Sequence, residues 1–394
     1  MAEDDVRQAA TSLSGLKDAY IPSVTGSSGL GASSGITLNV PTVFTISAQS
    51  LVFNYSQRDY IRAGRLRLQA ANLTLVGIRE LVEEDTIVSY LSLDSAHLRQ
   101  AALATQYQYA LGLVSVVQDR LAAGYDNELE LKKALRTALQ IKLQKSQMDS
   151  QIATLSEHLA GLTGIATESQ LTIPETIPRV QLSSPLPLES ALVCPDSPST
   201  LSAQANAKAK LQQAWGDSRY TWRPQVAFAA QYGRISPFNG VSTYYNLNGN
   251  YNTLAVGVQI QLPFLDQGRK AKGRESMAEA AHAEHQLASL RNQQREDCVQ
   301  LQQSFSQLET KGELTRLDQE IARDQLGVVL IHQESGVGTS NAPPVTPKEG
   351  QNARIQERQR YLDMLEAEEQ LDETKVHLLR QNGKLDEWVG RLSN

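Results

Sequence analysis

Residues 42–173 contain no proline, and neither do residues 264–342, although the chain carries 14 prolines in 394 residues. Proline breaks a helix interior, because it lacks an N–H donor and its ring clashes with the preceding turn. Its absence over such spans permits very long helices, and the residues inside them agree. Met148, Ile152, Leu155, Leu159 and Leu162 step by four, three, four and three. Leu301, Phe305 and Leu308 keep that spacing, as do Leu314, Leu317 and Ile321, and Leu378, Leu385, Val389 and Leu392 extend it towards the C-terminus. On segments rich in Gln, Glu, Ala, Leu, Lys and Arg, this is the heptad-like pattern of helices packed as coiled coils.

Two breaks interrupt the helical runs. Gly124-Tyr125-Asp126-Asn127 divides the first, and Gly336-Val337-Gly338-Thr339-Ser340-Asn341-Ala342-Pro343-Pro344 divides the second. Each reads as the tip of an αα-hairpin. The arm from about Gln57 to Ala123, if continuous, spans roughly 100 Å at a rise of ~1.5 Å per residue. No globular domain needs so long a rod, so the length itself calls for a function.

Between the helices lie period-two segments. Leu254, Val256, Val258, Ile260 and Leu262 alternate with Ala255, Gly257, Gln259 and Gln261. Val226, Phe228, Ala230 and Tyr232 alternate with Gln225, Ala227, Ala229 and Gln231, and Phe44, Ile46 and Ala48 with Thr45, Ser47 and Gln49. These are strands with one aliphatic and one small or polar face. In a soluble sandwich the aliphatic face meets a core; in a membrane barrel it meets lipid while the Gln/Ala/Gly face lines water. The loop from Arg234 to Tyr251 carries Tyr244, Tyr245 and Tyr251 and fits either an extracellular turn flanked by interfacial aromatics or an ordinary polar loop. The Gly/Ser run from Gly26 to Gly35 lacks the Lys-Ser/Thr ending of a phosphate loop and reads as a turn between strands.

The plan occurs twice. Tyr20-Ile21-Pro22-Ser23-Val24 resembles Trp222-Arg223-Pro224-Gln225-Val226, and the tip glycines Gly124 and Gly336 lie a similar distance apart. Residues 1–165 form a first repeat, with a short first helix, a β-hairpin over about 20–55 and a helical hairpin over about 57–164. Residues 166–199 are a Pro/Ser-rich connector. Residues 200–394 form the second repeat, with a helix, a β-hairpin over about 223–264 and a helical hairpin over about 266–392. The expected fold is mainly α with a β part whose aliphatic face meets either a core or lipid.

In this order and duplication the chain resembles the TolC family of outer-membrane efflux proteins. The segment Val256-Gly257-Val258-Gln259-Ile260-Gln261-Leu262-Pro263-Phe264, followed by Asp266-Gln267-Gly268-Arg269, is similar to the family's strand-to-helix junction. Arg223-Pro224-Gln225-Val226 resembles its helix-to-strand entry, and Arg120-Leu121-Ala122-Ala123-Gly124 with Leu129-Glu130 resembles its first tip. Leu159-Ala160-Gly161-Leu162-Thr163-Gly164 resembles the close of its first helical hairpin.

The resemblance implies that the β part is transmembrane, in a homotrimer in which each protomer gives four strands to one twelve-stranded barrel, with the long helices forming a tunnel across the periplasm. It implies a passive exit duct for efflux or type I secretion, coupled through a periplasmic adaptor to an inner-membrane pump. The tips would then contact the adaptor through Gly124, Tyr125 and Asp126 and through Gly336, Val337 and Gly338. Candidate entrance charges are Asp126, Glu128 and Glu334, since charge rings set selectivity. Leu254, Val256, Val258, Ile260 and Leu262 would face outer-membrane lipid. The alternatives are a periplasmic adaptor, which would show one hairpin between β-domains, and a soluble coiled-coil scaffold, which would cover the 254–262 face with its own helices.

Other classes fall away on composition. A net charge of −6 disfavours a nucleic-acid surface. No run of 18 apolar residues occurs, which excludes a transmembrane helix but not a barrel. Met1-Ala2-Glu3-Asp4-Asp5 is unlike a signal peptide, so outer-membrane localisation would need an N-terminal signal beyond these residues. Cys194 and Cys298 leave one disulfide open to the chain in an oxidising compartment. His282 and His285 are spaced for one helix face but lack a third ligand, and His97, His158, His332 and His377 are scattered. No catalytic constellation assembles, so the chain reads as a non-enzyme without a cofactor.

Overall fold

The proline-free stretches are helices, and their ends are set by side chains that cap them. The computed structural model describes residues 1–29, 42–167, 195–219, 223–235, 252–263, 266–335 and 346–392. The elements in chain order are α1 (Ala2–Asp18), β1 (Ser23–Ser28), β2 (Thr42–Phe53), α2 (Tyr55–Ala122), α3 (Glu128–Thr163), α4 (Pro198–Ser218), β3 (Gln225–Ile235), β4 (Asn252–Gln261), α5 (Gln267–Ser335), α6 (Pro347–Gln381) and α7 (Leu385–Leu392). α3 starts at Asn127, whose side chain accepts from the Glu130 amide, and stops at Gly164 in the left-handed region (φ 72°). α4 starts with Ser197 as cap and Pro198 in the first turn. α6 opens with a reciprocal capping box between Thr346 and Glu349. These are the residue types that satisfy the orphan amides of a first turn. Gly383, also left-handed (φ 65°), separates α6 from α7 and interrupts the Leu378–Leu392 register.

The chain divides into two compact units, Met1–Ile78 with Asp196–Asn292, and Arg79–Pro195 with Gln293–Asn394. Each unit draws segments from both sequence repeats.

In the first unit the four strands form one sheet in the order β1-β2-β3-β4, every neighbouring pair antiparallel. β1 and β4 are its edges. Gly26, Ser27 and Ser28 belong to β1 and not to the turn that their composition suggests. Their backbone groups gain ladder partners in Ile46, Thr45 and Phe44, which outweighs the poor strand propensity of Gly and Ser. Beside the sheet, α4 packs against the start of α2 and the start of α5. Its alanines 205, 207, 209 and 214 are buried, which lets backbones approach closely. A Cβ on Gly216 would lie 2.6 Å from the Tyr60 ring, and one on Gly273 would lie 3.0 Å from Ser218 Cα. The buried Asp217 carboxylate accepts from Tyr60 Oη (2.6 Å) and from Ser276 Oγ (2.6 Å), tying α4 to both helices. Burial, reinforced by Asp217, pushes the Tyr60 phenol well above its ordinary pKa.

In the second unit α2 is paired with α3 and with α6, and α6 with α5. α2 and α3 share a core of Leu103, Ala110, Ala138, Ile141 and Met148, which Leu362 of α6 joins. Val376, Leu379 and Leu385 pack with Ile87, Val88, Leu91 and Trp388 where α7 meets the bundle. Polar pairs set the register: Arg99 NH1 donates to Glu369 Oε2 at 3.0 Å between α2 and α6, and Arg316 donates to Glu368 at 2.7 Å between α5 and α6. The outer helices keep unpartnered leucines. Leu135, Leu139 and Leu143 on α3, and Leu314, Leu317 and Ile321 on α5, are all exposed.

Cys298, buried in α5, is disulfide-bonded; the other cysteine of the sequence, Cys194, lies outside the described residues. No helix among the described residues is long and apolar enough to cross a membrane.

Candidate functional site

Two features stand out: an open sheet and a helical tip. In the sheet, residues opposite each other across an antiparallel pair point to the same side. The register therefore gathers Val24, Ile46, Ala48, Val226, Phe228, Ala230, Tyr232, Leu254, Val256, Val258 and Ile260 on one face. The other face collects Ser23, Thr25, Ser47, Gln49, Gln225, Gln231, Gln259 and Gln261. Thr25 and Ser47 hydroxyls pair across it at 2.8 Å. The four strands carry a single charged side chain, Arg234.

The aliphatic face is in the open. Leu254, Val256, Val258, Ile260 and Leu262 are between 48% and 74% exposed. Burying one such side chain fully is worth about 1.5–3 kcal/mol, so leaving five in water forfeits on the order of 5–10 kcal/mol. That is comparable with the whole stability of a typical domain. A soluble scaffold would cover this face with its own helices, whereas here it is left open.

The tip between α2 and α3 is a built turn. Gly124 takes the left-handed conformation (φ 79°), which a side chain would strain, and its amide donates to Leu121 O at 3.0 Å. Tyr125 is 77% exposed. Asp126 is drawn inward: Arg120 Nε donates to its Oδ2 at 2.9 Å, and Lys348 Nζ lies 4.0 Å from its Oδ1. Arg120 also stands over the Tyr125 ring at 5.9 Å. Lys348 Nζ donates to Glu130 Oε2 at 2.6 Å, and Lys133 Nζ donates to Glu130 Oε1 at 2.8 Å. The hydrogen bonds from Lys133 and then Lys348 hold the Glu130 carboxyl down at about 2.

The expected site residues thus have different settings. Glu128 points outward, paired loosely with Lys132 at 3.6 Å, and Glu334 is exposed near the end of α5. Asp126 shares its charge with Arg120 and Lys348. Gly336, Val337 and Gly338 lie outside the described residues, as do Phe264, Trp222, Tyr244, Tyr245 and Tyr251 and most of the connector. The sequence places Glu130 at the first tip but gives no sign of its partner Lys348, because residues 218 positions apart leave no spacing signal. His282 and His285 are exposed on α5, and among the described residues no group of three His, Cys, Asp or Glu is placed to hold a metal.

No family model matches the chain, and no curated protein matches it. Solved structures do. The outer membrane protein VceC of Vibrio cholerae superposes with a TM-score of 0.74 at 16% identity, over 98% of this chain and 92% of that one. The outer-membrane channel OprN gives 0.76 at 16% identity, over 97% and 86%. The Campylobacter jejuni CmeC outer membrane channel gives 0.68 at 15% identity, over 100% and 85%. From end to end, with its helical hairpins and its four-stranded antiparallel sheet, the chain has the fold of the TolC-like outer-membrane channels.

Proposed function

We propose that the chain is one protomer of a passive outer-membrane conduit for efflux or secretion. The observation that carries this reading is the sheet, with an exposed aliphatic face, a neutral polar face and two edge strands that have no further neighbour among the described residues. Four strands cannot close a barrel, and an open edge invites pairing with another chain. Three copies supply twelve strands, and closure puts the aliphatic face against lipid and the Ser/Thr/Gln face around water. The exposed leucine stripes of α3 and α5 call for neighbours in the same way and fit docking between copies in a ring. Strands of ten to twelve residues in β2, β3 and β4 suit a tilted membrane crossing. The disulfide at Cys298 is consistent with an oxidising compartment such as a periplasm.

In this reading the helical tips face the pump. Tyr125 and Leu129, exposed at the tip, offer an apolar contact to the coiled coil of an adaptor, and Glu128 and Glu334 lend acidic charge to the entrance. The conduit does no chemistry; energy comes from an inner-membrane transporter reached through that adaptor.

The test is fractionation of the chain produced behind a cleavable export signal, with cross-linking of the detergent-extracted outer membrane. A cross-linked trimer there, giving discrete conductance steps in a planar bilayer, is the expected result. A soluble monomer would overturn the reading.

A further inference from the structure

The aliphatic face has a polar end as well as an apolar middle. Moving away from the helices, it passes through Val226 and Ile260, then Phe228 and Val258, Ala230 and Val256, and Tyr232 and Leu254. The next rung on the same face pairs Arg234 with Asn252, and Phe44 lies beside Arg234 on β2. Tyr232 Oη donates to Asn252 Oδ1 at 3.1 Å, which holds the phenol at this rim. Arg234 is exposed and makes no ion pair or side-chain hydrogen bond among the described residues.

Resting on the barrel reading above, we propose that Arg234, with Tyr232 beside it, binds the phosphate of a lipid headgroup and so fixes the depth of the sheet in the membrane. An arginine on a lipid-facing strand costs about 2–4 kcal/mol at the bilayer midplane and about 0–1 near the interface. The only charged side chain of the sheet therefore has one tolerable position, the rim, and it occupies the last rung of the face. From Gln225 to Arg234 the strand runs about 30 Å at ~3.3 Å per residue, or about 21 Å of depth at a ~45° tilt, close to the height of a barrel's apolar band. The planar guanidinium matches phosphate oxygens two at a time, and tyrosine settles at the headgroup level. At the opposite end of the sheet the cation is already occupied: Arg223 stands 5.0 Å over the Tyr55 ring, which Phe53 meets edge-on at 4.7 Å. The site with a vacant guanidinium is the rim at Arg234.

The experiment is insertion of the full chain into vesicles of phosphatidylcholine alone and of phosphatidylcholine with phosphatidylglycerol as a third of the lipid, read by flotation. Phosphatidylglycerol should raise the inserted fraction of the wild type by about fivefold, the worth of one cation near an anionic surface. Arg234→Gln should lose that enhancement, with strand content by circular dichroism unchanged, while Arg7→Gln, which removes the same charge from α1, should keep it. Equal enhancement in the wild type and Arg234→Gln overturns the site. If the glutamine variant does not fold, Arg234→Lys replaces it: without the planar fork it should show a reduced enhancement, and a lysine variant with the full wild-type enhancement overturns the guanidinium site. Inorganic phosphate at matched ionic strength should not compete; if it abolishes the enhancement, the lipid assignment is wrong. Insertion of the wild type that is the same in both lipids sinks this proposal alone, whereas no insertion into either sinks the barrel as well.

Discussion

Lys348, in the first turn of α6, reaches Glu130, in the first turn of α3, with Nζ 2.6 Å from Oε2. The start of the second descending helix is thereby fastened to the first tip. Glu130 carries a depressed pKa, about 2, through Lys133 first and Lys348 next. A depressed carboxyl favours the folded arrangement above its unfolded pKa, and that contribution is lost as pH falls through the folded value. The link should therefore be intact at neutral pH and dissolve between about pH 4.5 and pH 2. Carbodiimide cross-linking at neutral pH should join the Glu130 and Lys348 peptides, and Lys348→Gln should abolish that product. No such product in the wild type would show that the pair is not formed.

His377 works in the opposite sense. The Glu373 carboxylate, 3.6 Å away, and a hydrogen bond to the buried Glu84 at 2.7 Å raise its pKa to about 9. Its contribution is complete below the unfolded pKa of about 6.5 and disappears as pH rises through about 9. The imidazole is 40% exposed, so solvent screening reduces its worth to about 1 kcal/mol. The wild-type Tm should fall between pH 6.5 and pH 9, and His377→Gln should remove most of that slope. Parallel pH profiles would refute the assignment.

Val258 and Gln259 are neighbours on opposite faces of β4. If the aliphatic face meets lipid as proposed, Val258→Arg should cost about 2–4 kcal/mol of membrane stability and impair insertion, because it would sit at the strand centre. Gln259→Arg should insert normally and alter single-channel conductance. Equal effects from both would mean that the faces are assigned wrongly.

Gly216 tests the seat of α4. An added Cβ would meet the Tyr60 ring at 2.6 Å, so Gly216→Ala should cost about 1–3 kcal/mol by overpacking. Gly15→Ala, with nothing within 4 Å, should instead stabilise α1 by about 0.5–1 kcal/mol. Thermal melts of the two variants would separate a packing role from a general effect of glycine replacement.

These residues also mark what a sequence can tell. The alternation at 254–262 is legible because its period is two, and the long helices are legible because nothing in them stops a helix. β1 is legible only through the duplicated hairpin plan, since Ser23–Ser28 has one aliphatic residue, its last three residues read as turn, and it owes its strand to pairing with β2. The heptad pattern at Leu314, Leu317 and Ile321 predicts a packing partner and is silent on where it comes from; in the structure all three are exposed. Lys348 meeting Glu130, and Asp217 meeting both Tyr60 and Ser276, depend on how distant segments are brought together, which local periodicity does not encode.

The outer sides of β1 and β4, which have no neighbouring strand among the described residues, carry a thermodynamic consequence. If those edges are satisfied by other copies, no single chain has a complete native state, and folding and association are one equilibrium. Stability then scales with protomer concentration and has no value per molecule. Dilution alone, with pH and temperature held fixed, would act as a denaturant, and the half-assembled ring would be the species most in need of a chaperone.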